Sequence, residues 1–411
     1  MTRRGFWVLM VGLAFTIPVF GQISVHFRED IQRGMAATTA EEYQASLDFC
    51  NGVLKAVPGH AQINYLAARL NAQLGHKEEA IAYLKKASLL GYTTIVPFNK
   101  IHQLNDTAFV ALRQDPAFKE VIQALKQAES SIHEAEIAFT LSEKGLTPEG
   151  ITYDPVEKRF YFGSESKSKI VKVDGSGRCE DFTVEKQDGL DIVLGIHVDA
   201  ARRHLWACSQ SDSTTDVFKY DLETRKLLKR YSLSRQPENH SFNDLVIHPS
   251  GDVYVTEAIQ DDIYRISLSN DELEVFFSKE PFVSFNGITL SDDGRSIYVA
   301  DARIGIYKID LETQAHVLLT HDDGFDSSEV DGLYCQDNQL YAVQTGLDMV
   351  CRFSLNPDGT VIESRTIYER NTPYLDWPTT GVLVDDAFYF IADTQGNGDN
   401  PGAVIIMRAR R

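Results

Sequence analysis

From about residue 136 onward the apolar residues of this chain alternate with polar ones in short runs, and the runs come in pairs. Ile288 and Leu290 flank Thr289, an Asp-Asp-Gly turn follows at 292–294, and Ile297 and Val299 flank Tyr298 beyond it. Alternation of this kind predicts strands, and the Asp-Gly pair predicts the hairpin between them. The unit recurs. Glu149-Gly150-Ile151 precedes Phe160-Tyr161-Phe162, Leu194-Gly195-Ile196 precedes Leu205-Trp206-Ala207, and Asn243-Asp244-Leu245 precedes Val253-Tyr254-Val255. Asp331-Gly332-Leu333 precedes Leu340-Tyr341-Ala342, and Thr380-Gly381-Val382 precedes Phe388-Tyr389-Phe390. With Asn286-Gly287 the units open at 149, 194, 243, 286, 331 and 380, steps of 43 to 49 residues. A period of roughly 40–50 residues with several strands per unit predicts a β-propeller, and six units predict six blades. The sixth blade shows only three strands of its own, at 381–385, 387–392 and 403–408. Its fourth is expected from 137–141, at the start of the ring, which would close the circle and remove a free sheet edge.

Ahead of the strands the period changes to that of helices. Thr39 before Ala40-Glu41-Glu42 predicts a capped helix running to about Ala56, stopped by Pro58-Gly59. A second is expected at 61–74, ended by Gly75, and a third at 77–90. Two more are expected at 106–114 and 116–130, the last entered through Asp115-Pro116. Ala67, Leu74-Gly75, Ala80, Tyr83 and Ala87 stand where tetratricopeptide helix pairs place their packing residues, so the segment resembles that family over about two and a half repeats. Such an array either docks a protein partner through residues 27–130 or braces the propeller. The first 21 residues read as a secretory signal, with Arg3 and Arg4 before the apolar run 6–20 and a small residue, Gly21, at the cleavage site. The expected organisation is thus a signal at 1–21, an all-α tetratricopeptide-like domain at 22–135, and an all-β six-bladed propeller at 136–411. The mature chain would be exported, with no membrane span.

Charge narrows the choice of partner. The 411 residues carry a formal charge of −19, which repels nucleic acid and suits a cation. Five scattered cysteines, at 50, 179, 208, 335 and 351, have no metal-ligand spacing and suggest no disulfide framework.

The repeat itself creates a candidate site. Equivalent positions in each blade lie at one radius and height, so the residues that open the innermost strands, Glu149, Leu194, Asn243, Asn286, Asp331 and Thr380, meet near the axis. Four of the six offer carboxylate or amide oxygen. Two carboxylates and two amides, with no thiolate or imidazole, select a hard divalent cation, calcium before zinc. Any one of these dipeptides alone would read as a turn, but four at one phase of a repeat call for another reason.

On these residues the chain resembles the gluconolactonase/regucalcin/LRE-like family of six-bladed propellers, related to the paraoxonases and to squid-type diisopropylfluorophosphatase. The resemblance spans about 136–411 and rests on Pro148-Glu149-Gly150, Asn243-Asp244, Asn286-Gly287 with Ser291-Asp292-Asp293-Gly294, and Asp331-Gly332. It implies that Glu149, Asn286 and Asp331 hold a metal, with Asn243 either a fourth ligand or facing substrate and metal-bound water. Ser241 stands where sugar-lactonase members place an Arg, which turns the expectation away from an aldonolactone. Leu194 replaces the paraoxonase-type His. His197 is expected on the opposite face of its strand from Leu194, and His240 near the mouth in a solvated loop. The expected function is a calcium-dependent hydrolase of a lactone or related ester, with Asp331 and Asn243 acting on water and substrate. The alternative is a non-catalytic, calcium-stabilised propeller that serves as an envelope scaffold through its helices. Loops 209–216, 234–243, 321–330, 370–379 and 394–402 would set the substrate. Glu257, Asp301, Gln344 and Asp393, which end second strands, are expected to brace the blades.

Overall fold

The structure is a computed structural model that describes residues 27–90, 106–128, 130–237, 239–279, 282–394 and 402–411. The signal expected at 1–21 lies outside these residues, as do 91–105 of the helical segment and most of the 394–402 loop. No helix among the described residues is long and apolar enough to cross a membrane.

Six antiparallel sheets form the ring. Blade one contains Pro148–Asp154, Arg159–Ser164, Lys169–Val173 and Cys179–Asp181, and blade two contains Ile192–Asp199, His204–Gln210, Thr214–Asp221 and Leu227–Ser234. Blade three contains Phe242–Ile247, Val253–Glu257, Ile263–Ile266 and Leu273–Phe277; blade four contains Phe285–Leu290, Ser296–Asp301, Gly305–Asp310 and His316–Leu318. Blade five runs Val330–Gln336, Gln339–Gln344, Met349–Leu355 and Ile362–Arg370. Blade six has Gly381–Val384, Ala387–Asp393 and Ile405–Arg410, and its outer strand is Glu136–Thr140, paired antiparallel to Ile405–Arg410. The ring therefore closes as the strand count predicted. Phe139 carries that closure into the core shared with blade one, where it packs on Phe160. The linker adds a strand the sequence did not announce: Ile132–His133 pairs with the outer edge of blade five.

Aromatic second-strand residues fill the gaps between blades, with Trp206, Tyr254, Tyr298 and Tyr341 all buried. The acidic and amide residues that end these strands are expected to brace neighbouring blades; Asp301 and Gln344 instead tie down the loops beside their own blades. Asp301 accepts from the backbone N–H groups of Val283 (2.8 Å) and Arg303 (3.1 Å), and Gln344 donates to the carbonyls of Asp326 (3.0 Å) and Ser328 (2.7 Å). A buried carboxylate is tolerable only when backbone donors surround it in this way.

The helical segment comprises α1 (Phe27–Ala36), α2 (Ala40–Ala56), α3 (Ala61–Leu74), α4 (Lys77–Leu89) and α5 (Pro116–Ala128). The Thr39 cap forms in full: its hydroxyl accepts from Glu42 N–H while the Glu42 carboxylate accepts from Thr39 N–H at 3.0 Å. Gly75 ends α3 in the left-handed region, φ +81°. The helix expected at 106–114 is instead a short 3-10 turn, Thr107–Leu112, because the Asp106 side chain caps Ala108 N–H (2.9 Å) and a second Asp-capped start follows at Asp115.

The apolar face of these helices is covered by the propeller. Phe27, Leu47, Val53 and Leu66 form one continuous buried cluster with Phe282, Phe285, Tyr307 and Leu318 of blade four and its approach. The α2–α3 turn locks onto the loops beside it. The buried His60 ring donates from Nε2 to the Arg303 carbonyl (2.7 Å), and Asp326 accepts from Ala61 N–H (2.7 Å). A side chain at Gly59 would overlap the Phe325 carbonyl oxygen. The array is thus a brace on the propeller, seated on the rim where inner strands begin.

Candidate metal centre at the propeller axis

The first residues of the inner strands meet around the axis through direct backbone approach. A Cβ on Gly150 would overlap the Leu194 carbonyl of blade two, one on Gly195 would lie 2.6 Å from an Asp244 carboxylate oxygen of blade three, and one on Gly287 would overlap the Asp331 carbonyl of blade five. From blade five, a Cβ on Gly332 would reach Thr380 Cα at 2.8 Å; blade six then returns to blade one as the Thr379 and Thr380 hydroxyls donate to the Glu149 carbonyl at 3.0 and 2.5 Å. These glycines lie within strands and not in the left-handed region. The turn reading of Asn-Gly and Asp-Gly does not apply here; glycine is needed because neighbouring blades touch.

A second device aims the ring residues. In blades one to five the pairing of inner and second strands shifts at the same place, between Pro148 and Ile151, Val193 and Ile196, Phe242 and Leu245, Phe285 and Ile288, and Val330 and Leu333. A β-bulge there releases two residues from strict alternation and re-aims their side chains. Glu149, Leu194, Asn243, Asn286 and Asp331 each sit in such a bulge.

Asn286 bonds Asp331, the Asp331 charge acts on Glu149, and Asn243 opens the equivalent bulge of blade three; three of the four predicted oxygen donors carry the same anomaly. Glu149 Oε2, Asn243 Oδ1 and Asn286 Oδ1 are buried without a hydrogen-bond partner. Buried polar atoms without partners are rare and need a cause. Asn286 uses its amide N–H on Asp331, which leaves its oxygen directed elsewhere, and the Thr345 hydroxyl, which donates to the Pro378 carbonyl at 2.5 Å, lies 3.1 Å from Asp331 Oδ2. Orphaned hard oxygens from three blades, beside a second carboxylate, fit a hard divalent cation. No cluster of three His, Cys, Asp or Glu forms among the described residues; half the donors of this ring are amides.

Electrostatics point the same way. Burial, then the nearby Asp331, Asp244 and Glu165 carboxylates, push Glu149 well above the usual carboxylate range. Burial lifts Asp331 to about 6 against the hydrogen bonds from Thr345 and Asn286, and lifts Asp244 to about 7. For Asp331 and Asp244 the folded value exceeds the unfolded one, so their contribution to stability is fully present below about pH 4 and is lost as pH rises through 6 to 7; Glu149 is shifted in the same direction. A cation that binds the ionised forms reverses that loss. The gap in Tm between calcium-loaded and metal-free protein is accordingly expected to widen steadily from pH 5 to pH 8 in thermal scans; a gap independent of pH would show that these carboxylates are not where the ion binds.

Several neighbours were not legible as site residues. Asp244 fills the place that is Gly in the other blades, and its carboxylate accepts from Leu245 N–H (2.8 Å) and Ile288 N–H (3.4 Å), joining blades three and four. It stands at the head of a channel of about 460 Å³ that runs down the axis past Thr152, His197, Thr289 and Tyr334. His197 lines this channel beyond the ring, whereas Leu194 packs on the buried cluster between blades two and three. His240 is not solvated as expected; it is half-buried, its Nδ1 3.9 Å from Glu257. Glu257 in turn accepts from Ser241 N–H at 2.5 Å, and the Ser241 hydroxyl donates to Gln210 at 2.5 Å. Glu165 follows the second strand of blade one, half-buried above the ring. A motif search finds the ring residues; nothing but folding brings Glu165 and Thr345 to them.

The family model described as the SMP-30/gluconolactonase/LRE-like region matches residues 147–373, more than half of the chain. No curated protein matches. Among solved structures, a gluconolactonase from Xanthomonas campestris is similar at 14% identity and a TM-score of 0.50, over 66% of this chain and 89% of its own. A PQQ-bound aldose sugar dehydrogenase from Streptomyces coelicolor aligns at 13% identity and a TM-score of 0.50, over 69% of this chain and 99% of its own. A calcium-binding regucalcin from Agrobacterium tumefaciens aligns at 17% identity and 0.48, over 67% and 96%. At such identities the first two speak for the shared propeller and nothing finer.

Proposed function

Because this chain belongs to the SMP-30/gluconolactonase/LRE-like family, we propose that it is a hydrolase of a lactone or related ester that depends on a divalent metal, calcium by donor type. The observation that carries the reading is the set of orphaned buried oxygens on Glu149, Asn243 and Asn286 beside Asp331. Glu149, Asn243, Asn286 and Asp331 would hold the ion, which when bound supplies polarisation of the substrate carbonyl and stabilisation of the charge that develops on its oxygen.

The protein's own groups do the rest. The Thr345 hydroxyl and the Asn286 amide position the Asp331 carboxylate, whose remaining lone pair would orient a water molecule toward the carbonyl carbon. The carboxylate takes one proton as the water attacks and passes it to the departing alkoxide, giving an alcohol and a carboxylic acid, which then ionises and releases its proton to solvent. A carboxyl lifted by burial to about 6 is a better proton acceptor near neutrality than one at its ordinary value. Asn243, in the bulge that opens the inner strand of blade three, would orient the substrate. The same reading places the mature chain, from Gln22, outside the cytoplasm, where calcium is plentiful.

Acid release from a panel of neutral lactones and aryl esters, followed with calcium and with excess chelator, tests this. Hydrolysis that vanishes with chelator and returns with calcium is the expected result. No hydrolysis of any panel member, with Tm still raised by calcium, would replace the hydrolase with a calcium-stabilised scaffold.

A further inference from the structure

Two of the six sectors of the ring give no oxygen donor to the axis. In blade two the slot holds Leu194, and in blade six it holds Thr380, whose hydroxyl is spent on the Glu149 carbonyl. These two sectors flank blade one and its Glu149. Each carries an exposed apolar residue where the chain approaches the axis: Ile192, which opens the blade-two inner strand and is 38% exposed, and Trp377, three residues before Thr380 and 61% exposed. A tryptophan this open to water is unusual on a surface with no partner. Its backbone is unusual too, with φ at +59°, a region that bulky residues avoid and hold only under constraint.

The constraint is visible on both sides. Asp376 N–H donates to the Ala392 carbonyl at 2.9 Å, and the Pro378 carbonyl accepts from the Thr345 hydroxyl at 2.5 Å. The same hydroxyl lies 3.1 Å from Asp331 Oδ2, and Thr379 reaches Glu149 one residue further on. The indole is thus presented by a segment pinned to the supports of both ring carboxylates. A strained, well-held, exposed aromatic at the rim of a polar centre is the arrangement of a contact surface for a ligand.

Charge at the rim narrows the ligand further. Cationic side chains on this face are engaged within the protein: Arg303 with Glu329 at 2.8 Å, Arg235 with the Ser211 carbonyl at 2.8 Å, and Lys167 with Glu143 at 2.8 Å. Glu165 adds a fourth carboxylate, after Glu149, Asp331 and Asp244, whose charge is felt by Glu149 and Asp331. An anionic substrate would be repelled, and a polyhydroxylated one would find an indole and an isoleucine where it needs hydrogen bonds.

Resting on the hydrolase reading, we propose that the substrate is an uncharged lactone or ester bearing an apolar or aromatic substituent, and that Trp377, with Ile192, is the specificity-determining surface that binds it. The reacting carbonyl would lie at the oxygen ring while the substituent lies against the rim on the blade-one side.

The test compares γ-lactones that differ only in substituent (none, hexyl, phenyl) together with glucono-δ-lactone, in the calcium-loaded wild type and in Trp377→Ala. In the wild type kcat/KM is expected to rise at least about tenfold from the unsubstituted to the phenyl compound, the scale of discrimination of an apolar pocket. In Trp377→Ala that preference should collapse, with KM for the phenyl compound rising toward that for the unsubstituted lactone. A preference that survives in the variant, a flat series, or a preference for glucono-δ-lactone overturns the proposal. A second readout separates this failure from failure of the hydrolase reading. The mature chain has two tryptophans, of which Trp206 is buried, so the phenyl-substituted γ-lactam, which resists hydrolysis, should shift the emission of Trp377 to shorter wavelength. If no lactone is cleaved but the shift occurs and is absent in Trp377→Phe carrying only Trp206, the rim site stands and hydrolysis falls; if the lactam causes no shift, the rim site falls.

Discussion

Asp331→Asn is expected to lower kcat by roughly 10³-fold, within the range assigned to a lost general base, with the fold intact and no rescue by added calcium. The substitution keeps the side chain's shape and a hydrogen-bond acceptor for Thr345, but removes one of the two charges of the ring. Because burial disfavours that charge in the absence of an ion, the metal-free variant should melt higher than metal-free wild type while gaining less from calcium. Glu149→Gln makes the informative partner. Glu149 Oε2 has no hydrogen-bond partner, and in the proposed centre it would face the ion, so its loss should act through affinity: activity falls at low calcium and recovers in part as calcium is raised. Steady-state rates across a calcium titration distinguish the two behaviours. Full recovery of Asp331→Asn at saturating calcium would demote Asp331 to a ligand and leave the choice of base open. Retained activity in both variants at low calcium would remove the centre from the reaction altogether.

Gly287→Ala carries the second large effect, on stability and metal affinity together. The backbone at Gly287 suits an L-residue, so nothing local forbids alanine. The obstacle is blade five. The new Cβ would overlap the Asp331 carbonyl and lie 2.8 Å from Leu333 N–H, and both are backbone atoms of a paired strand that cannot rotate away. Either blades four and five separate or the ring deforms. We expect a loss of about 3 kcal/mol, the upper end of what overpacking costs, and at least a tenfold weakening of calcium binding as Asn286 and Asp331 are forced apart. Gly175→Ala, where no atom lies within 4 Å of the added methyl, should leave both unchanged. Denaturant midpoints and calcium titrations of the two variants measure this directly. A neutral Gly287→Ala would mean that the blades are not in the contact described.

The helical segment shows how local signals and global placement divide. Thr39, Pro58-Gly59 and Gly75 mark helix ends by chemistry that acts within a few residues, and the helices start and stop there. Which face of the array would be covered, and by what, depends on Phe282, Phe285 and Tyr307, more than 200 residues away. The array's two readings, partner-docking surface or brace, could not be separated from the helices alone. Likewise His240 had a place in the chain near the mouth but acquired an environment only when Glu257 came beside it.

What the sequence determined by itself is everything that a repeat can encode. The period set the number of blades, the missing strand of blade six foretold closure by a strand at 137–141, found as Glu136–Thr140, and the common phase of Glu149, Asn243, Asn286 and Asp331 marked four oxygen donors as equivalent positions of the repeat. Such inferences need only equivalence between units, which survives whatever the exact geometry. The tertiary structure alone decided how those donors point and what surrounds them. Glycine at 150, 195, 287 and 332 reads as a turn in one dimension and proves to be a contact between neighbouring blades in three. The bulges that aim the ring residues, and the convergence of Thr345, Glu165, Asp244 and Trp377 on the mouth, have no signature in any one repeat. They arise because closing six twisted sheets into a ring crowds the inner strands together, and that crowding, a property of the whole circle, sets the geometry of the site.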